Sequence, residues 1–323
     1  MPYGAGHFYL MLRIKTIDAE VAGESVRLIV EGAPSVPGGT MADKRKWLQR
    51  NADQLRRMLM LEPRGHAGMH GAMITTPVSP DAHFGVLSMH AAGFPLVSGE
   101  AIIAAVTIGL EQRLIEGVEG EMLVDTAAGV FRARPRAVDA ATPGRPHVVG
   151  VSLIGPPASV QQGGLAIRVG TRAVNVDIAF AGETYAIADS EAIGIPIDMS
   201  NAAALVRMGR LLADAIGTPI QGAIFTGAAS GPADLRSATV LDGEVLRRSP
   251  GATGTAALLA VLDAMGLLAG DASEHRFTHE GILGTALNAR VLSRAQIEGR
   301  DAVTPVIEGA ASITGFHEFV GGY

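Results

Sequence analysis

The chain has 323 residues, of which 48% are apolar and 18% charged, a globular balance with length for two ordinary domains. A formal net charge of −6, with no basic stripe interleaved with aromatics, excludes nucleic acid as a partner. The absence of cysteine excludes disulfides, iron–sulfur clusters, thiolate zinc sites and thiol catalysis.

Aromatics are only 4% while glycine counts 41, so an aliphatic core with many tight turns is expected. The opening MPYGAGHFYLMLRIK is too short and interrupted for a signal peptide, and no apolar run reaches a membrane span. These features predict a cytoplasmic protein without a membrane partner.

In chain order, Leu10 to Ile17 and Val26 to Glu31 read as strands joined through Ala22-Gly23-Glu24. Asp43 to Met60 reads as one amphipathic helix, with Trp47, Leu48, Leu55 and Leu59 inward and the basic residues between Lys44 and Arg57 solvated. Phe84 to Met89 is a buried strand leading through His90 to Phe94 into an apolar helix within Pro95 to Gln112. Glu121 to Val138 alternates as a strand, and Thr142-Pro143-Gly144 marks a turn before the strand His147 to Leu153.

Pro156-Pro157 reads as a domain junction, after which the rhythm repeats. Strands at Gly164 to Val169, Ala173 to Ala179 and Thr184 to Ala188 precede a helix at Ser200 to Ile216. Strands at Gln221 to Thr226 and Leu235 to Leu241 lead through Asp242-Gly243 to a second apolar helix within Arg247 to Leu268. Short strands, including Gly281 to Ala289 and Ala310 to Gly315, complete the chain.

A helix that is apolar on every face belongs inside a domain. Each of these two opens on a small-residue turn, where unpaired N–H groups and the positive dipole end suit a carboxylate. The order predicts a duplicated α+β fold of two similar halves, with a small anionic ligand between the helix N-termini. The expected limits are 1–155 and 156–302, with 303–323 a tail returning to the first half.

Several motifs together resemble the proline racemase family. They are Pro37 to Lys46 (PGGTMADKRK), Met60 to Gly71 (MLEPRGHAGMHG), Phe84 to Ala105, Val176 to Ala186 (VDIAFAGETYA), Arg247 to Thr255 and Thr314 to Phe319 (TGFHEF). The His90-to-Phe94 stretch is most similar to the trans-3-hydroxy-L-proline dehydratase branch. The resemblance implies sheets curled around central helices, as in diaminopimelate epimerase-like folds, with the active site in the cleft between halves. It also implies no cofactor, a small amino or imino acid such as a hydroxyproline as ligand, and compatibility with a homodimer.

Family racemases carry Cys-Gly-His at the first helix and Asp-Arg-Ser-Pro-Cys at the second, and the two thiols exchange the α-proton from opposite faces. Here the matching positions read Ser98-Gly99-Glu100 and Arg247-Arg248-Ser249-Pro250-Gly251. With Gly251 at the second-base position, a two-base racemase or epimerase is not expected. The remaining candidates for acid–base catalysis are Ser98 and Glu100, and an unassisted Ser hydroxyl is too weak a base near neutral pH. Gly99, Arg247 and the N–H groups of Ala252, Thr253 and Gly254 are the candidates for substrate binding.

Glu100 and Arg247 fall where facing charges could pair across the cleft. Such a pair fits a structural bridge closing a disused site. It equally fits Glu100 holding a substrate ammonium and Arg247 its carboxylate or leaving group. The function expected is a one-base lyase of the trans-3-hydroxy-L-proline dehydratase type; the alternative is a family member without racemase, epimerase or dehydratase activity that binds or turns over another small amino or imino acid.

Other clusters carry less. His66, His70 and His90 read as structural rather than as metal ligands, because glycines interrupt any helix that would align them. His275, His279 and Glu280 read as packing or loop hydrogen bonding. Gly251 to Gly254 lacks the Lys and spacing of a phosphate loop, and Asp177 reads either as lining the site or as a turn former.

Overall fold

The computed structural model describes residues 11–117, 120–139, 146–268 and 276–322. The expected turn at Thr142 to Gly144, the start of the first strand at Leu10, and His275 lie outside the described residues.

The first run of elements is β1 (Met11–Val21), β2 (Glu24–Glu31), α1 (Met41–Asn51), α2 (Asp53–Met60), β3 (His70–Thr75), β4 (Phe84–His90), α3 (Gly99–Glu111), β5 (Met122–Thr126), β6 (Gly129–Asp139) and β7 (Pro146–Ile154). The second is β8 (Ala158–Val169), β9 (Arg172–Phe180), β10 (Thr184–Asp189), α4 (Ser190–Ile193), α5 (Ala202–Ile216), β11 (Gly222–Gly227), β12 (Leu235–Leu241), β13 (Val245–Leu246), α6 (Ala252–Ala264), β14 (Phe277–Glu280), β15 (Ala286–Ile297) and β16 (Arg300–Gly309). The last strand, β17 (Ala311–Gly322), pairs antiparallel with β1.

Strand direction makes the duplication explicit. Taken as β17-β1-β2-β3-β4-β5-β6-β7, successive pairs run antiparallel, antiparallel, parallel, antiparallel, parallel, antiparallel, antiparallel. The series β8-β9-β10-β11-β12-β14-β15-β16 repeats that order of directions. In each series the central helix, α3 or α6, fills the parallel crossover between the fifth and sixth strands, as parallel pairing requires. β16 pairs with β8 as well, which closes the second sheet on itself, and with β7, which joins the two.

The central helices are buried because their sequences offer no polar face. Every residue of α3 from Gly99 to Gly109 is buried, and so is every residue of α6 from Ala252 to Val261. Ile102, Ile103, Val106 and Ile108 are fully enclosed, each worth roughly 1.5–3 kcal/mol of burial.

Three local expectations are corrected. The helix expected from Asp43 to Met60 is two helices, broken at Ala52, whose backbone leaves the helical region (φ −140°, ψ 25°). Two basic residues turn inward from these helices: Lys44 Nζ donates to Thr76 O at 2.7 Å, and Arg56 donates to the carbonyls of His90 and Ala91. These are buried ties to the β3–β4 region rather than parts of a solvated face. Glu121 to Val138 is a hairpin of β5 and β6 rather than one strand, turning at Ala127-Ala128 into Gly129 with φ +111°. Gly281 to Ala289 begins as a turn, with Gly284 at φ +82°, and only then enters β15.

Among the described residues, no helix is long and apolar enough to cross a membrane.

Candidate active site

The site is built where α3 and α6 point their N-termini at each other. Ser98 is the N-cap of α3, and its Oγ accepts the Ala101 N–H at 3.3 Å. That hydroxyl is therefore engaged in ending the helix. Gly251 holds the N-cap position of α6 with φ +85°, and the helix has no side-chain cap. The two helices touch directly, since a Cβ added to Gly99 would overlap the Ala252 Cβ.

Glu100, one residue into α3, reaches across this contact. Its Oε1 accepts Ser249 Oγ–H at 2.7 Å and Ala252 N–H at 3.0 Å, while Oε2 lies 2.8 Å from Arg247 Nη2. The α6 N-terminus thus binds a carboxylate, and that carboxylate belongs to the chain itself. Thr253 turns its hydroxyl to Tyr185 Oη at 2.6 Å, and Gly254 packs close to Ile224.

Arg247 is shared between two acids. Its Nε lies 3.4 Å from Glu24 Oε2, which also accepts the N–H groups of Arg248 at 3.1 Å and Ser249 at 3.4 Å. Glu24 and Glu100 are 0% exposed and Arg247 3%. Burial pushes Glu24 up to about 7, against the pull of Arg247 and with the help of Glu100. Burial opposes the charge on Arg247 too, but Glu100 and Glu24 outweigh it and hold the guanidinium above its ordinary value.

Two histidines stand behind this cluster as direct cross-strand neighbours on β3 and β4, with ring centroids 5.8 Å apart. His70 Nε2 lies 3.9 Å from Glu24 Oε1. His90 Nδ1 accepts the Ala92 N–H at 3.1 Å, which puts the proton of the neutral ring on Nε2, 3.3 Å from Asp242 Oδ2. Burial, then Arg247, lowers His70 well below the ordinary range and His90 to about 4, so both rings are neutral at pH 7. From the second half, Glu183 Oε1 accepts Leu96 N–H at 2.6 Å, bracing the turn that leads into Ser98. Burial pushes Glu183 up to about 7.

Ser98, Gly99, Glu100, Arg247, Gly251 and Ala252 therefore meet at one point, and their facing charges form an ion pair. Asp177 is not a turn former: it lies within β9, and its Oδ1 accepts Gly164 N–H at 2.8 Å where the neighbouring β8 bulges. His279 Nδ1 is 2.8 Å from Thr255 Oγ1, whose hydroxyl donates to Gly251 O at 2.7 Å, a packing role inside the second half. Among the described residues, no three His, Asp or Glu side chains converge as metal ligands. Glu24, Ser249 and Glu183 are the site residues that sequence reading missed. The one signal for Glu24 is an acid at the end of the turn between the first two strands.

The proline racemase family model matches residues 16–320. The chain is 36% identical over 322 residues to trans-3-hydroxy-L-proline dehydratase of Bacillus cereus, covering 94% of this chain and 93% of that protein. It is 32% identical over 325 residues to proline racemase of Clostridioides difficile, covering 95% and 94%. Among solved structures it resembles a hydroxyproline epimerase from Agrobacterium vitis with bound trans-4-hydroxy-L-proline, with TM-score 0.87, 26% identity, and coverage of 98% and 95%. A likeness at that level over nearly the whole length settles the lineage: the chain belongs to the proline racemase family.

Proposed function

We propose that this protein carries out no two-base proton transfer on proline or the hydroxyprolines, and that it binds a small amino or imino acid whose carboxylate displaces Glu100 from the α6 N-terminus. The observation that carries this reading is the Glu100 carboxylate taking Ser249 Oγ–H and Ala252 N–H. Those donors suit a free carboxylate equally well. Ser98 offers a hydroxyl that accepts the Ala101 N–H, and Gly251 has no side chain, so neither position supplies the thiol that two-base proton transfer uses. The test is α-proton exchange in D2O by NMR, run with a thermal-shift screen of amino and imino acids. The expected outcome is a ligand-dependent rise in Tm without exchange on L-proline, either 4-hydroxyproline or trans-3-hydroxy-L-proline.

A second reading is a one-base lyase, favoured by 36% identity to a protein named trans-3-hydroxy-L-proline dehydratase. In that case Glu100 leaves Ser249 and Arg247 and removes the α-proton; the Cα–H electrons form the C2–C3 double bond as the C3–O bond breaks, and Glu100 passes its proton to the departing hydroxide, giving water and the regenerated carboxylate. The enamine then tautomerises to an imine, which chemical trapping detects by absorbance. Turnover of this substrate that disappears in Glu100→Gln would establish the lyase in place of the first reading.

A further inference from the structure

Among the described residues, unpartnered buried polar atoms gather beside the Glu100–Arg247 pair: Glu24 Oε1, both ring nitrogens of His70, His90 Nε2 and Arg247 Nε. Buried polar atoms are nearly always hydrogen-bonded, so a group of them marks a place for a partner that is not protein. Two of the five have a neighbour close by. His90 Nε2–H faces Asp242 at 3.3 Å, and Arg247 Nε lies 3.4 Å from the other oxygen of Glu24. What remains is Glu24 Oε1 and His70, separated by 3.9 Å. That gap is too long for a hydrogen bond, and a single donor about 2.8 Å from each atom would span it.

Charge selects the donor. Above about pH 7, where Glu24 is ionised, Glu24 and Glu100 against Arg247 leave one uncompensated negative charge at 0–3% exposure. Neither histidine supplies the balance, because burial and Arg247 keep both neutral. A buried net charge is costly unless a counter-charge joins it. A monocation with N–H groups answers both the charge and the two open acceptors.

We propose that Glu24 Oε1 and the unprotonated ring nitrogen of His70 form a binding site for a protonated primary or secondary amine. It rests on the preceding reading in taking that amine to be the ammonium of the small amino or imino acid. Arg247 links the carboxylate subsite at Ser249 and Ala252 to the ammonium subsite at Glu24 and His70, with Nε 3.4 Å from Glu24 Oε2 and Nη2 2.8 Å from Glu100 Oε2. Occupancy depends on the charge of Glu24, which is faced by Glu100 from α3, by Arg247 and the Arg248 and Ser249 N–H groups from the loop before α6, and by His70 from β3, with His90 from β4 behind His70.

The experiment is a thermal-shift titration of the full chain with pyrrolidinium chloride, against matched tetramethylammonium chloride, at about pH 6 and about pH 8.5. The expected result is a rise of about 2 °C or more with pyrrolidinium at the higher pH, smaller at the lower pH and absent with tetramethylammonium, which has no N–H. Glu24→Gln and, independently, His70→Leu should each abolish the rise. Should one variant fail to fold, the other decides. No pyrrolidinium-specific rise in the wild type, or an undiminished rise in a folded variant, would overturn the proposal. A rise with amino acids but not with pyrrolidinium removes the ammonium site and leaves Glu100 displacement standing, whereas a pyrrolidinium rise with no response to any amino acid does the reverse.

Discussion

Glu100 and Arg247 meet at 2.8 Å across the contact between the two central helices, joining residues 147 positions apart in a site with almost no solvent exposure. In water such a pair would contribute little, but here each partner depends on the other because neither has bulk solvent to fall back on.

Breaking the pair from one side should therefore be expensive. Glu100→Ala leaves Arg247 with Glu24 alone and removes the acceptor of Ser249 and Ala252, so a loss of about 3–5 kcal/mol is expected in urea unfolding. The double variant Glu100→Leu with Arg247→Met should recover most of that loss. Additive losses in the double variant would show that the pair is not coupled.

Restoring a thiol at the second-base position should not restore proton transfer. Gly251 sits at φ +85°, where a Cβ is strained although no neighbour blocks it. Gly251→Cys should cost about 1–2 kcal/mol and give no α-proton exchange on proline. Exchange in that single variant would mean that Ser98 or Glu100 already serves as the partner base.

Between the two central helices, Gly99 lies hard against Ala252. Gly99→Ala should push the helix N-termini apart at a cost of about 1–3 kcal/mol. Adding Ala252→Gly should relieve it. Equal stability of Gly99→Ala and wild type would show that the helices are not in contact in solution.

The pH dependence of stability follows from Glu24 and Glu183, both pushed up to about 7 by burial from an ordinary 4.5. For a carboxylate raised in this way, the folded state holds a proton that the unfolded chain has released between those two values. Its stabilising contribution is full below about 4.5 and is lost as pH rises through about 7. Glu183 alone should account for a decline on the order of 3 kcal/mol over that window. Glu183→Gln should flatten the slope between pH about 5 and about 7 while keeping the acceptor for Leu96 N–H. A slope unchanged in that variant would contradict the assignment.

The central helices were legible because their apolar character is unbroken and each begins at small residues, a signal that does not depend on tertiary context. Glu100 and Arg247 were legible because opposite charges stand at two positions that the family resemblance places face to face. Glu24 was not, because it lies 223 residues before Arg247 and comes near it only when the halves meet. The β5–β6 hairpin was missed because Ala127-Ala128 carries no turn signal and the alternation runs through it. The break at Ala52 was missed because alanine favours helix. There Lys44 and Arg56 turn inward to the carbonyls of Thr76 and His90, contacts that local propensity does not report.

The most direct test of the central claim is binding of a small carboxylate, such as acetate, to wild-type protein and to Glu100→Ala, followed by the NMR shift of the Ala252 amide. If Glu100 occupies a carboxylate site, the variant should bind acetate with a large shift at Ala252 that returns towards its wild-type position, while the wild type responds only at much higher concentration. Equal acetate affinity in both proteins, or no shift at Ala252 in a folded variant, would contradict the account.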